Sequence, residues 1–382
     1  MAARVLGLMS SAGSLLEFIF GPCFGRLSDR YGRMVFLLVG PVGTILCDGM
    51  VFLFPSQPVL IVGKVVSTLT VTAFVTILRS SLNDVVQGEA YAIANSGMAT
   101  WTGSAVMLTP LLASRFLTER GSFGVAALAA AVNGAQLSLF FGETLPRNER
   151  VQVDWVKCNP LSFVKLFSHS KTMSLLVLAI FFQSVGEIRF AMDMAMIIWA
   201  RVHQWSPAWQ ANFTALFGAA MVAAGRLGVL TIGKFGQKGH TRLSNWVNAV
   251  ANSIWACDTG LSGSLLAQLL MTFGHRKRDG LEAMIYRLGT TATDRRPALG
   301  GRGAVSGMLA NFKSVAFVVA PQLYSFAYAT GTGSGRAFHG APMLVAALAA
   351  LCAEACVMLL PSMTQFEALC AAPNKPTSNG NL

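Results

Sequence analysis

Residues 25–33 read Gly25-Arg26-Leu27-Ser28-Asp29-Arg30-Tyr31-Gly32-Arg33, with apolar runs at 5–24 before them and 34–54 after them. A run of about 20 apolar residues, rising 1.5 Å each as a helix, matches the roughly 30 Å hydrocarbon thickness of a bilayer. The segment between them is short and basic, and Gly25 and Gly32 permit close backbone approach. The reading is therefore two membrane helices joined by a tight polar turn.

Working outward, further apolar runs occupy 59–78, 92–116, 123–141, 173–200, 208–230, 303–328 and 341–360. The apolar stretch 243–273 is too long for one upright helix and is read as two, parted near 258–263. A charged interruption at 275–279 and a weakly apolar segment at 281–292 follow. The expected fold is all-α, a polytopic membrane helical bundle of about eleven helices. Composition agrees: of 382 residues, 53% are hydrophobic and only 12% charged, and the mean hydropathy is +0.55. Soluble domains carry about 25% charged residues. A disordered chain, a coiled coil and an ordinary cytosolic enzyme are excluded.

The net charge of +12 comes from 29 Lys and Arg against 17 Asp and Glu. These bases cluster in alternate connections: Arg26, Arg30 and Arg33; then Arg147, Arg150, Lys157, Lys165 and Lys171; then Lys234, Lys238 and Arg242. Such alternation is a topology label, which puts these connections on the cytoplasmic side, and is not a nucleic-acid surface. The seven cysteines form no framework, and the five histidines show no metal-ligand spacing. No catalytic motif of the HExxH, GxSxG or P-loop kind occurs, so neither enzyme activity, metal nor cofactor is expected.

Residues 25–33 also resemble the signature loop of the major facilitator superfamily, G-x-L-x-D-R-x-G-R, through Gly25, Leu27, Asp29, Arg30, Gly32 and Arg33. Asn83-Asp84-Val85-Val86 is similar to the family's Asp-Val segment. Glu143-Thr144-Leu145 and Asn159-Pro160-Leu161 resemble its tetracycline-resistance and multidrug-efflux branch, as do Trp205-Ser206-Pro207 and Arg302-Gly303. The family's repeated halves call for a second copy of the motif. Gly233, Lys234, Lys238 and Gly239 supply a degenerate one, aligned Gly233 with Gly25, in which Gln237 takes the acidic place. The resemblance implies two pseudo-symmetric halves, residues 1–142 and 173–362, around a cytoplasmic loop at 143–172, with a disordered tail at 363–382. That loop is amphipathic, and a short interfacial helix is expected in it. In the family order one more helix precedes the motif, so the first family helix is missing from this reading. The family's helix-five antiporter motif is not reproduced; Gly97, Gly103, Thr109 and Pro110 are the nearest residues. Lys64 stands where many efflux members carry arginine.

Ionisable groups within membrane runs are costly and are functional candidates by default. Glu17, Gln183, Glu187, Asn133 and Gln136 are the candidate substrate or proton site. Arg189 and Asp193, four residues apart, are expected to pair within their own helix, whereas Glu187 has no basic partner at helical spacing. The expected function is secondary transport of a small organic solute by alternating access, with proton-coupled efflux implied by the resemblance. Asp29, Arg30 and Arg33 would serve as a conformational switch. The expected partners are the solute, protons and membrane lipids, without nucleic acid, and the working unit is a monomer. The alternative is a non-transporting membrane sensor or an inactive truncated transporter.

Overall fold

The computed structural model describes residues 2–85, 88–150, 159–290, 299, 302–333 and 338–370. The first half holds α1 (Ala2–Tyr31), α2 (Arg33–Leu37), α3 (Val39–Leu53), α4 (Gln57–Val85), α5 (Gly88–Phe116) and α6 (Glu119–Phe140). Beyond it come α7 (Val164–His169), α8 (Lys171–Val185), α9 (Ile188–Arg201), α10 (Pro207–Cys257), α11 (Leu261–Met271) and α12 (Asp279–Thr290). The last helices are α13 (Arg302–Gly333), α14 (Ala341–Met358) and α15 (Met363–Cys370), and no strand occurs among the described residues.

Among the described residues seven helices are long and apolar enough to cross a membrane, counting α2–α3 and α8–α9 as single rods. One of them, α10, is two spans. Residues 231 and 240 of a straight helix would lie about 13.5 Å apart along its axis, yet Thr231 Oγ1 and His240 Nδ1 share a hydrogen bond of 2.7 Å. The chain reverses at Gly236, whose φ of 68° and ψ of 175° belong to glycine alone. With α5, α13 and the broken rod α11–α12, the described residues trace eleven rods, in agreement with the sequence.

The division near 258–263 also holds. Asp258 follows α10, and its carboxylate accepts the backbone N–H groups of Gly260 and Gly263 at 2.8 Å and the Ser262 hydroxyl at 2.6 Å. Those bonds, Ser262 and Gly260 foremost, hold the carboxyl below the usual aspartate range and cap the start of α11.

The halves meet along two seams. In one, α1 and α13 run antiparallel: Ser11 donates to the Val318 carbonyl at 2.6 Å, Gln322 donates to Ser11 at 3.1 Å, and Ser314 donates to Glu17 at 3.4 Å. In the other, small residues bring α5 and α10 together, with Gly103 against Val222 and Gly218 against Met107.

The connection 143–172 does contain a short helix, α7, preceded by a 3₁₀ turn at Pro160–Phe163. Part of the apolar surface of this stretch turns into the protein, while Leu161 and Val164 stay exposed. Leu166 is fully buried, and the Phe163 ring sits 6.2 Å from Phe18 of α1 and 5.3 Å from Phe312 of α13, at the motif end of the first seam. Trp155, which helped mark this segment as amphipathic, lies outside the described residues.

The expectation of disorder from residue 363 is corrected over α15. Ser362 and Gln365 cap it reciprocally, the Gln365 N–H to the Ser362 hydroxyl at 3.3 Å and the Ser362 N–H to Gln365 Oε1 at 3.0 Å. Phe366 then buries completely against the second half.

A methyl group at Gly236 would meet no atom within 4 Å, so substitution there tests backbone strain alone. Gly236→Ala is expected to cost about 1–3 kcal/mol and lower the melting temperature of the purified protein. Gly225→Ala, in open space within the same helical stretch, is expected to be neutral or slightly stabilising.

Candidate functional site

The motif is not a loop. Helix α1 runs through Gly25–Tyr31, and the reversal falls on one residue, Gly32, with φ 104°. The helix persists because its own side chains support it: Ser28 donates to the Gly25 carbonyl at 2.7 Å and Asp29 pairs with Arg33 at 2.6 Å. Arg33 is the centre of this end. Its side chain is 8% exposed and reaches Asp29, Asp84 of α4 at 2.9 Å and the Ser28 hydroxyl at 2.6 Å.

Glu143 completes the cluster from the segment after α6. Its carboxylate accepts the backbone N–H of Arg33 at 2.8 Å and of Met34 at 3.3 Å, capping α2, and Arg150 lies 3.6 Å away. Partial burial works against the ionised form, but the N–H groups of Arg33, Leu145 and Met34 and the Arg150 charge outweigh it and hold this carboxyl below its ordinary value. A side chain at Gly32 would run into Glu143. Thr144 also donates to Asp84, at 3.3 Å. Three separate sequence marks, at 25–33, 84 and 143–144, thus converge on Arg33, Asp84 through its guanidinium and Glu143 through its backbone N–H. The start of α2 is thus capped by Glu143, while Asp29 is engaged by the Arg33 side chain. Arg30 stacks over Tyr31 at 5.1 Å and points away from the cluster.

The degenerate copy sits at the equivalent reversal, but the turn glycines set a different register. Gly32 and Gly236 are the two glycines with positive φ among the described residues. Aligning them pairs Arg30-Tyr31-Gly32 with Lys234-Phe235-Gly236, and Lys234 stacks over Phe235 at 5.5 Å as Arg30 does over Tyr31. The tie to the segment after the last span is retained with opposite chemistry: Lys238 donates to the carbonyls of Leu360 at 2.7 Å and Pro361 at 3.2 Å. Gly239 packs on Phe235.

At mid-height two broken rods interlock. Helix α8 stops before Gly186 and α9 starts after Glu187, opposite the gap between α11 and α12. Lys277 from that gap donates to the Gly186 carbonyl at 2.7 Å, Gln183 donates to the Lys277 carbonyl at 3.2 Å and to Asn245 at 2.8 Å, and Arg278 pairs with Glu187 at 2.6 Å. The partner for Glu187 therefore comes from a distant element that helical spacing does not reveal. Arg189 and Asp193 do not form the expected ion pair. The Arg189 guanidinium lies over the ring of Phe317 at 3.9 Å and that of Phe190 at 4.6 Å.

Glu17 faces this region from α1 with hydroxyl partners, Ser314 and Thr72, and with Arg189 and Lys313 as the positive charges bearing on it. Asn133 and Gln136 lie elsewhere, exposed on α6, which packs on α3 at the edge of the first half. Asp193 was not among the sequence candidates. Its signal was present, an acid within an apolar run, but the assumed pairing with Arg189 explained it away.

Two helical halves joined along seams, with charges interlocked at mid-height and one end tied by ion pairs, give an integral multi-pass membrane protein of transporter architecture. The chain belongs to the Major Facilitator Superfamily, whose sequence profile matches residues 1–321. It is 25% identical over 357 residues to the class C tetracycline resistance protein of Escherichia coli, covering 91% of this chain and 86% of that one. Its fold is similar to that of the human organic anion transporter MFSD10 (TM-score 0.69, 17% identity, 92% and 83% of the two chains). It is also similar to a point mutant of the nucleoside transporter NupG (0.73, 10%, 94% and 91%) and to a D-xylose–proton symporter (0.71, 14%, 96% and 89%).

The Glu143 carboxyl is depressed when folded, so its contribution is present above the unfolded value, about 4.5, and is lost as pH falls through the folded value. Glu143→Gln is expected to flatten the acid limb of the stability–pH curve, measured by thermal unfolding in micelles between about pH 3 and 6. Arg278→Ala strands the Glu187 charge, and a loss of the order of 3 kcal/mol is expected. Adding Glu187→Gln should restore part of it, read from chemical denaturation.

Proposed function

We propose that this transporter moves a small organic solute by alternating access, exchanging it for protons in the direction of export. The observation that carries the proton assignment is the contrast between two carboxylates at mid-height. Glu187 is held at 2.6 Å by Arg278, and an ion pair of that kind resists protonation. Glu17 has hydroxyl partners and, among the described residues, no ion pair, on the seam between the halves. A carboxylate in that setting is free to gain and lose a proton as the seam opens and closes. Export is supported by the likeness to the tetracycline resistance protein, which spans nearly the whole chain.

In this reading the motif end works as a rigid unit. Arg33 and Glu143 tie the ends of α1, α2, α4 and α6 together, so the first half moves as one body against the second. The base-rich ends face the cytoplasm, where Arg26 and Lys234 contact anionic lipid, and the protein acts as a monomer.

The test is solute flux in proteoliposomes under an imposed pH gradient. Glu17→Gln is expected to abolish gradient-driven accumulation while preserving solute exchange at equal pH. Gradient-driven transport at the unsubstituted rate in Glu17→Gln would refute the assignment.

A further inference from the structure

The seam between α1 and α13 does not keep one width. At the end remote from the motif, a Cβ at Gly7 would lie 3.0 Å from the Pro321 carbonyl oxygen and 3.1 Å from Ser325. At Gly21 it would reach Asn311 at 3.9 Å. Gly25 lies on the same helix face as Gly7, about five turns further on, and a Cβ there would meet no atom of the described residues within 4 Å. The two helices part toward the motif end.

The segment that joins the two halves fills this flare. Its Pro160–Phe163 turn is fixed locally, with the Leu161 N–H donating to Asn159 Oδ1 at 2.8 Å. It sends the Phe163 ring between Phe18 of α1, 6.2 Å away and edge-on, and Phe312 of α13, 5.3 Å away. The anchors of the turn lie in the second half. Asn311 donates to the Pro160 carbonyl at 3.4 Å, the Ser174 hydroxyl donates to the Phe167 carbonyl at 2.9 Å, and Phe167 packs edge-on against Phe312 at 5.2 Å. Leu166 is fully buried in one cluster with Met173 and Leu176. Toward the first half the turn offers Phe163 against Phe18. Phe18 is next in sequence to Glu17, which Ser314 reaches across the same seam. A ring contact thus crosses the seam, while the elements that hold the ring in place stay on one side of it.

We infer that the Pro160–Phe163 turn is a strap that holds the motif end of this seam shut, with Phe163 as its wedge. Parting the halves at this end separates Phe18 from Phe163 and wets both rings. The lost burial and edge-on attraction favour the closed arrangement by about tenfold. Phe163 and Phe18 act here as positioning residues and touch neither solute nor proton. The inference rests on the alternating-access reading for the motion it restrains, and not on the identity of the solute or on the proton assignment.

The experiment places two cysteine reporters on α1 of the full chain in a Cys23→Ser background: Gly21→Cys in the flare and Ser11→Cys in the tight part of the seam. Labelling by a water-soluble maleimide in micelles is followed peptide by peptide with mass spectrometry, which separates the reporters from the native cysteines. Phe163→Ala is expected to raise the Gly21→Cys labelling rate about tenfold and to leave Ser11→Cys unchanged or slower. Phe18→Ala, made on the other half, should act alike, and the two together should do no more than either alone. Phe163→Leu, which keeps an apolar wedge, should restore part of the protection. Phe167→Ala removes a ring whose contact stays within the second half and should change the rate far less. An unchanged Gly21→Cys rate in both Phe163→Ala and Phe18→Ala, an equal effect of Phe167→Ala, or a parallel rise at Ser11→Cys would overturn the strap. Gradient-driven flux and its loss in Glu17→Gln would stand in each of those cases, so failure here is distinct from failure of the transport reading.

Discussion

A guanidinium 8% exposed between two carboxylates is the interaction on which the architecture of the first half depends. In hydrocarbon the backbone must satisfy itself, so a turn held close to the membrane keeps few residues outside a helix. A one-residue reversal at Gly32 meets that demand but leaves the first N–H groups of α2 open and crowds four helix ends. Arg33 resolves the crowding by binding α1 to α4, and Glu143 closes the open N–H groups from beyond α6. Removing both Asp29 and Asp84 would leave a buried unpaired charge, and removing Glu143 an uncapped helix.

The second half solves the same problem with different residues. Gly236 repeats the positive-φ reversal, but Gln237 follows it where Arg33 follows Gly32. Lys238 instead reaches the carbonyls after α14. The geometry of the repeat is kept while the polarity of its tie is inverted, from carboxylate on N–H to ammonium on C=O. The second half keeps a charged pair near this end, Arg242 with the buried Glu354 at 2.7 Å, and adds another joint at mid-height, where Lys277 and Arg278 lock the broken rods α8–α9 and α11–α12. A charged interruption that reads as a defect in a membrane span is thereby a structural joint.

Much of this was legible along the chain. The apolar runs gave the rods, the Asp258–Gly263 turn was visible as polar and glycine-rich punctuation, and the marks at 25–33, 84 and 143 were each recognisable alone. What could not be read was mutual placement. Helical spacing suggested a pair between Arg189 and Asp193, yet the aromatic faces of Phe190 and Phe317 compete for the guanidinium and win. It also left Glu187 unpaired, because its partner, Arg278, stands far along the chain on another rod. Asn133 and Gln136 carried the right chemistry on the wrong helix, since polarity within a run does not say which face it occupies.

The sequence by itself determined the membrane bundle, its division into halves and the identity of the motif end. Those features follow from local quantities, the length of apolar runs, the positions of glycine and the distribution of bases. Tertiary structure alone decided which charges are neutralised and which are left open. In a medium of low dielectric that outcome depends on distances between groups on different helices, which no periodicity encodes. Glu187 and Asp193 are equivalent as letters in adjacent turns. Glu187 is paired with Arg278, whereas Asp193 has no ion pair among the described residues, because Arg189 lies over the rings of Phe317 and Phe190.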